Sequence, residues 1–132
     1  MKKFIIIICL FSCFNTIFSE TPISEKTNNA NIRYQLFPTQ NVWTFLKLDT
    51  LTGKIWQVQF SINGDEYRFE SILSSKDITD ELKLEKIMGR YTLYATQNTY
   101  NFILLDQISG YTYQVQWNGD IENRALIPIS QE

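Results

Sequence analysis

FLKLDTLTGKIWQVQF, residues 45–60, returns 57 positions later as FILLDQISGYTYQVQW, residues 102–117. The likeness extends outward from this pair. Upstream it includes Arg33/Arg90, Tyr34/Tyr91, Leu36/Leu93, Thr39/Thr96, Gln40/Gln97 and Asn41/Asn98; within it, Asp49/Asp106, Gly53/Gly110 and Gln57/Gln114 coincide. A folding unit has been written twice. Trp56, Val58 and Phe60 alternate with Gln57 and Gln59, as Tyr113, Val115 and Trp117 do with Gln114 and Gln116. A period of two is the signature of a half-buried strand, here with the aromatic–aliphatic face inward and the glutamines outward. The preceding stretches, Trp43–Leu48 and Tyr100–Leu105, are apolar on both parities, as expected of a strand covered on both sides.

The joints are equally legible. Asp49–Gly53 and Asp106–Gly110 read as hairpin loops, with Asp folding back on the turn and Gly in the left-handed position. Asn63-Gly64 and Asn118-Gly119 signal a further hairpin in each unit and predict fourth strands at Glu66–Leu73 and Glu122–Ile129. Pro38–Asn41 reads as the first turn. The prediction is an all-β fold of about eight antiparallel strands in two repeated four-stranded meanders, residues 33–73 and 90–129. Packed together they form a sandwich or small barrel with internal pseudo-two-fold symmetry, because each meander alone leaves an apolar face wet. The alternative is two sheets arranged like adjacent propeller blades. The connector, 74–89, has room for one or two helical turns, capped at Asp77 or Thr79 and stopped at Gly89.

The doubled pattern RYxLxxTQNx[WY]xF[LI]xLDxx[ST]Gxx[WY]QVQ[FW] resembles that of uncharacterised small secreted proteins of anaerobic Gram-negative gut bacteria. The likeness covers residues 32–129. It implies an all-β fold and an envelope location, and it brings no activity, substrate or catalytic residue.

The N-terminus carries its own message. Met1-Lys2-Lys3, an apolar run from Phe4 to Phe14 and small Ser19 have the layout of a secretory signal. The run is shorter than the roughly 20 residues a spanning helix requires. Cleavage after Ser19 would release a soluble periplasmic or secreted product, with residues 20–31 as a polar linker and 32–132 as a single β domain. In the alternative, Leu10-Phe11-Ser12-Cys13 acts as a lipobox and Cys13 carries a lipid anchor to the outer membrane.

Both cysteines of the chain, Cys9 and Cys13, fall in this segment, and there is no histidine. Ser-His-Asp and Cys-His catalysis and the usual zinc sites are therefore excluded, and five glycines supply no phosphate loop. No cofactor, metal or catalytic residue is assigned. Without Lys2 and Lys3, ten basic residues face fourteen acidic ones with no basic cluster, which argues against a nucleic-acid partner.

Function then rests on binding. Aromatic rings beside amide side chains suit stacking on sugars and also suit protein interfaces. The candidate binding residues are Trp43, Tyr100, Gln57, Gln59, Gln114 and Gln116. The reading is an exported, non-enzymatic binding module of the bacterial cell envelope whose partner is an envelope protein, peptide or glycan. Three alternatives are an inhibitor or immunity-type protein, a structural envelope subunit, and a glycan hydrolase using the repeated carboxylates Asp49 and Asp106.

Overall fold

A computed structural model of the chain describes residues 31–132. The expected export signal with Cys13, and nearly all of the expected linker, lie outside the described residues. Strands β1 (Tyr34–Pro38), β2 (Thr44–Asp49), β3 (Ile55–Gln59) and β4 (Phe69–Ser74) form one antiparallel sheet in chain order. A second sheet repeats the plan with β5 (Tyr91–Ala95), β6 (Asn101–Asp106), β7 (Thr112–Gln116) and β8 (Ala125–Pro128). The two meanders of the sequence reading are present, and the described sheets do not close into a barrel.

Matched turns explain matched sheets. The Asp49 carbonyl accepts from the Gly53 amide at 2.9 Å, and its carboxylate accepts from the Leu51 amide at 3.0 Å. Asp106 does the same with Gly110 at 2.8 Å and Ile108 at 2.9 Å. Gly53 and Gly110 both have φ of 81°, the left-handed conformation that a side chain disfavours.

The Asn-Gly pairs behave differently from the tight hairpins predicted. Gly64 has φ of 168°, which is extended backbone, so the primed turn with two positive φ angles does not form. A 3-10 turn, Asp65–Tyr67 or Ile121–Asn123, lengthens each loop, and the fourth strands begin at Phe69 and Ala125. In the connector, α1 (Ile78–Glu81) is a single turn. Asp77 caps it by accepting from the Asp80 amide at 3.0 Å, and Gly89 takes φ of 79°.

The core draws Leu46, Leu48 and Ile55 from the first sheet, Ile78 from α1, and Tyr91, Phe102, Leu104, Tyr113, Val115 and Trp117 from the second. Repeat two follows the expectation, with Tyr113, Val115 and Trp117 inward and the glutamines of β7 outward. Repeat one does the reverse. Gln57 is buried at 2 % exposure, while Trp56 and Val58 lie on the outer face, where Trp56 meets the exposed ring of Tyr34 edge-on.

The same inversion runs through β2 and β6. Leu46 and Leu48 are buried in repeat one, but Phe102 and Leu104, the counterparts of Phe45 and Lys47, are buried in repeat two. A two-fold axis between the sheets would bury equivalent faces, whereas here each sheet buries the face opposite to its twin's. They stack head to tail, the inner face of one sheet against the opposite face of the next, as in the blade-like alternative. Strands apolar on both parities permit this, because either face can be buried at similar cost.

Candidate functional site

The two first turns of the repeats lie side by side. Each is built by the same triplet, Thr39-Gln40-Asn41 or Thr96-Gln97-Asn98. The Thr39 hydroxyl donates to the Thr44 carbonyl at 2.9 Å, and the Asn41 carboxamide oxygen accepts from the Trp43 amide at 3.0 Å. Thr96 and Asn98 repeat this with Asn101 at 2.8 Å and Tyr100 at 3.0 Å. Side chain-to-backbone bonds of this kind fix a turn and so fix the residue that follows it. The residues so placed are Trp43 and Tyr100. Trp43 packs on Phe60 with ring centres 5.2 Å apart, and Tyr100 packs on Trp117 at 5.4 Å. The Thr99 hydroxyl donates to Gln40 Oε1 at 2.8 Å, joining the turns across the repeat boundary.

Beneath this bridge the seam between the sheets opens as a cleft of about 400 Å³. Thr44, Gln57 and Gln59 line it from the first sheet, and Thr99, Tyr100 and Trp117 from the second. A neighbouring depression of about 520 Å³ holds Trp43, Phe60 and Tyr67 and shares Asn41 and Gln59 with the cleft. Tyr100 lies in the cleft and Trp43 in the depression beside it, with Asn41 and Gln59 common to both.

The chemistry of the cleft centres on Gln57. Its Oε1 is buried and has no hydrogen-bond partner, the sole such side-chain atom among the described residues. Leaving a buried acceptor unpaired costs about 1–3 kcal/mol, so proteins avoid it outside functional sites. Head-to-tail stacking creates this situation: it turns a glutamine of the repeated QVQ motif into the seam, where an apolar residue would pack without penalty. Gln114, its counterpart, escapes on the outer face of the second sheet and donates to Asn101 Oδ1 at 2.9 Å.

Three of the six expected binding residues therefore line the cleft, Tyr100, Gln57 and Gln59, and Trp43 lines the neighbouring depression. Gln114 and Gln116 do not join them, because the inversion of faces puts them on the far side of the second sheet. Gln116 donates to the Asn123 carbonyl at 2.8 Å, and Gln59 makes the equivalent bond to the Tyr67 carbonyl at 3.2 Å, so both tie the 3-10 turns to the sheets. Trp117 and Thr99 belong to the cleft and were not singled out from sequence. Their part depends on the seam, where the Trp117 indole donates to the Thr99 carbonyl at 2.8 Å.

The repeated carboxylates are occupied elsewhere. Asp106 is buried against Arg90, whose Nε donates at 2.9 Å, and accepts from the amides of Ile108 and Ser109. Burial alone would push its carboxyl up, but bonds from Ser109, Ile108 and Arg90 outweigh it and hold the group below the usual carboxylate range. Asp49 pairs in the same way with the exposed Arg33 at 3.1 Å. Among the described residues no cluster of three or more acidic, His or Cys side chains offers a metal site. No described helix is long and apolar enough to cross a membrane.

Comparison with protein-family models, with curated proteins and with solved structures found no match to this chain.

Proposed function

We propose that the protein is an exported, non-enzymatic binding module of the bacterial cell envelope, and that its ligand enters the seam cleft between the two repeats. The observation that carries this reading is the unpaired, buried Oε1 of Gln57. It is an acceptor held ready for a hydroxyl or amide donor that the protein does not itself supply. The exposed rings of Trp43 and Tyr100 beside the amides of Asn41 and Gln59 add stacking surfaces next to polar groups. This combination suits an envelope glycan, whose sugar faces stack and whose hydroxyls donate. A protein or peptide partner is the second reading, supported by the same rings. Engagement of Asp49 and Asp106 in turns and ion pairs weighs against the carboxylate hydrolase.

Titration with soluble oligosaccharide fragments of the envelope tests the proposal. Trp43 and Trp117 lie in or beside the cleft, so binding should change tryptophan fluorescence. The Trp43→Ala/Tyr100→Ala variant, with an unchanged melt, should lose most of that response. An equal response from both proteins would remove these rings from the site. Release of reducing ends during the titration would overturn the non-enzymatic reading.

A further inference from the structure

The inversion of faces has left both outer sheet faces with the residues of an interface already used inside the molecule. On the outside of the first sheet lie Tyr34, Leu36, Trp56 and Val58, and their counterparts one repeat later form the buried inner face of the second sheet. Leu36 is 59 % exposed, yet its counterpart Leu93 is in the core. On the outside of the second sheet the same holds in mirror fashion. Tyr94 is 54 % exposed, whereas its counterpart Phe37 packs against the core. Each sheet thus presents to solvent the face that its twin buries.

We infer that a second copy of this chain stacks on the first, the outer face of its first sheet covering the outer face of the other's second sheet. The contact would repeat between molecules the head-to-tail contact that joins the two repeats within one. Such a heterologous contact leaves a free face at each end, so assembly continues as a ring or a filament of sheets rather than ending at a symmetric dimer. Lys47 sets its strength. It stands where the second repeat has the buried Leu104, lies over the Tyr34 and Trp56 rings, and pairs with Glu70. Covering that ion pair costs desolvation, which keeps the association weak and dependent on concentration.

The two faces can be tested separately by sedimentation velocity on protein expressed from the full chain. Mass should rise between about 10 µM and about 1 mM, the range of weak specific contacts. Lys47→Leu, which restores the residue of the second repeat, should move the rise to roughly tenfold lower concentration. Leu36→Glu spoils one face and Tyr94→Glu the other, and each alone should abolish association. Mixing the two variants should yield a 1:1 dimer and nothing larger, because each supplies the face the other lacks. Circular dichroism and a melt confirm that the variants fold; Leu36→Gln and Tyr94→Gln replace any that do not. The inference is overturned if wild type and Lys47→Leu stay monomeric throughout. Survival of association in either single variant, or no dimer on mixing, overturns it equally.

Discussion

Replacing Arg90 by Met should destabilise the fold far more than replacing Arg33 by Met, although the two arginines occupy the same place in the repeat. Arg90 and Asp106 are buried together, with side chains 4 % and 1 % exposed. Removing the guanidinium strands a carboxylate in the core, a change that costs about 3–5 kcal/mol in buried pairs. Asp106 keeps the amides of Ile108 at 2.9 Å and Ser109 at 3.1 Å, which solvate part of its charge. The loss should therefore fall near the low end, about 3 kcal/mol. Arg33 is 49 % exposed, and its pair with Asp49 is reached by water, so its loss should cost far less. For a domain of this size 1 kcal/mol moves Tm by about 4–8 °C, so Arg90→Met should melt well below Arg33→Met. Urea denaturation followed by tryptophan fluorescence gives both free energies. Losses equal to within about 0.5 kcal/mol would refute the reasoning, since burial would then not govern the value of the pair.

The glycine turns should divide in the same way. Gly110→Ala meets only the strain of positive φ, about 1–2 kcal/mol, because nothing lies within 4 Å of the added carbon. Gly53→Ala would also place that carbon 2.7 Å from Ile78 Cδ1 in the core, so its denaturation midpoint should fall further than that of Gly110→Ala. Acid should expose Asp106: its folded carboxyl lies below the unfolded value of about 3.9, so the stability it lends is complete above that pH and is lost as pH falls through and below it. A melt series from about pH 7 to about pH 2 should steepen at the acid end, and Asp106→Asn should flatten that limb.

The strands and the Asp–Gly hairpins were readable because each rests on local chemistry: alternation for β3 and β7, a side-chain acceptor and a positive φ for the turns. The sense of the packing was not. Phe45, Leu46, Ile103 and Leu104 give β2 and β6 two apolar faces, so alternation alone cannot say which is buried. That choice is made between sheets, where Tyr91, Tyr113 and Trp117 fill the seam against the smaller Leu46, Leu48 and Ile55. The same ambiguity governed the site. Trp43 and Tyr100 are legible as aromatic residues next to a repeated turn, whereas Gln57 differs from Gln114 only through the seam. The Asn-Gly pairs misled because the residues after them, Asp65–Tyr67 and Ile121–Asn123, form 3-10 turns before the chain returns to the sheet.

Gln57→Met, followed for stability and affinity in the same preparation, decides whether the seam cleft is a binding site. Methionine keeps the length and volume of glutamine but offers no strong acceptor, so a buried unpaired oxygen is exchanged for an apolar group. If Gln57 is held for a ligand, the variant should melt at the same or a higher temperature, gaining up to about 1–3 kcal/mol, while the fluorescence response to envelope oligosaccharides is lost. A lower melting temperature together with undiminished ligand affinity would show that the amide serves the fold and that the ligand binds elsewhere.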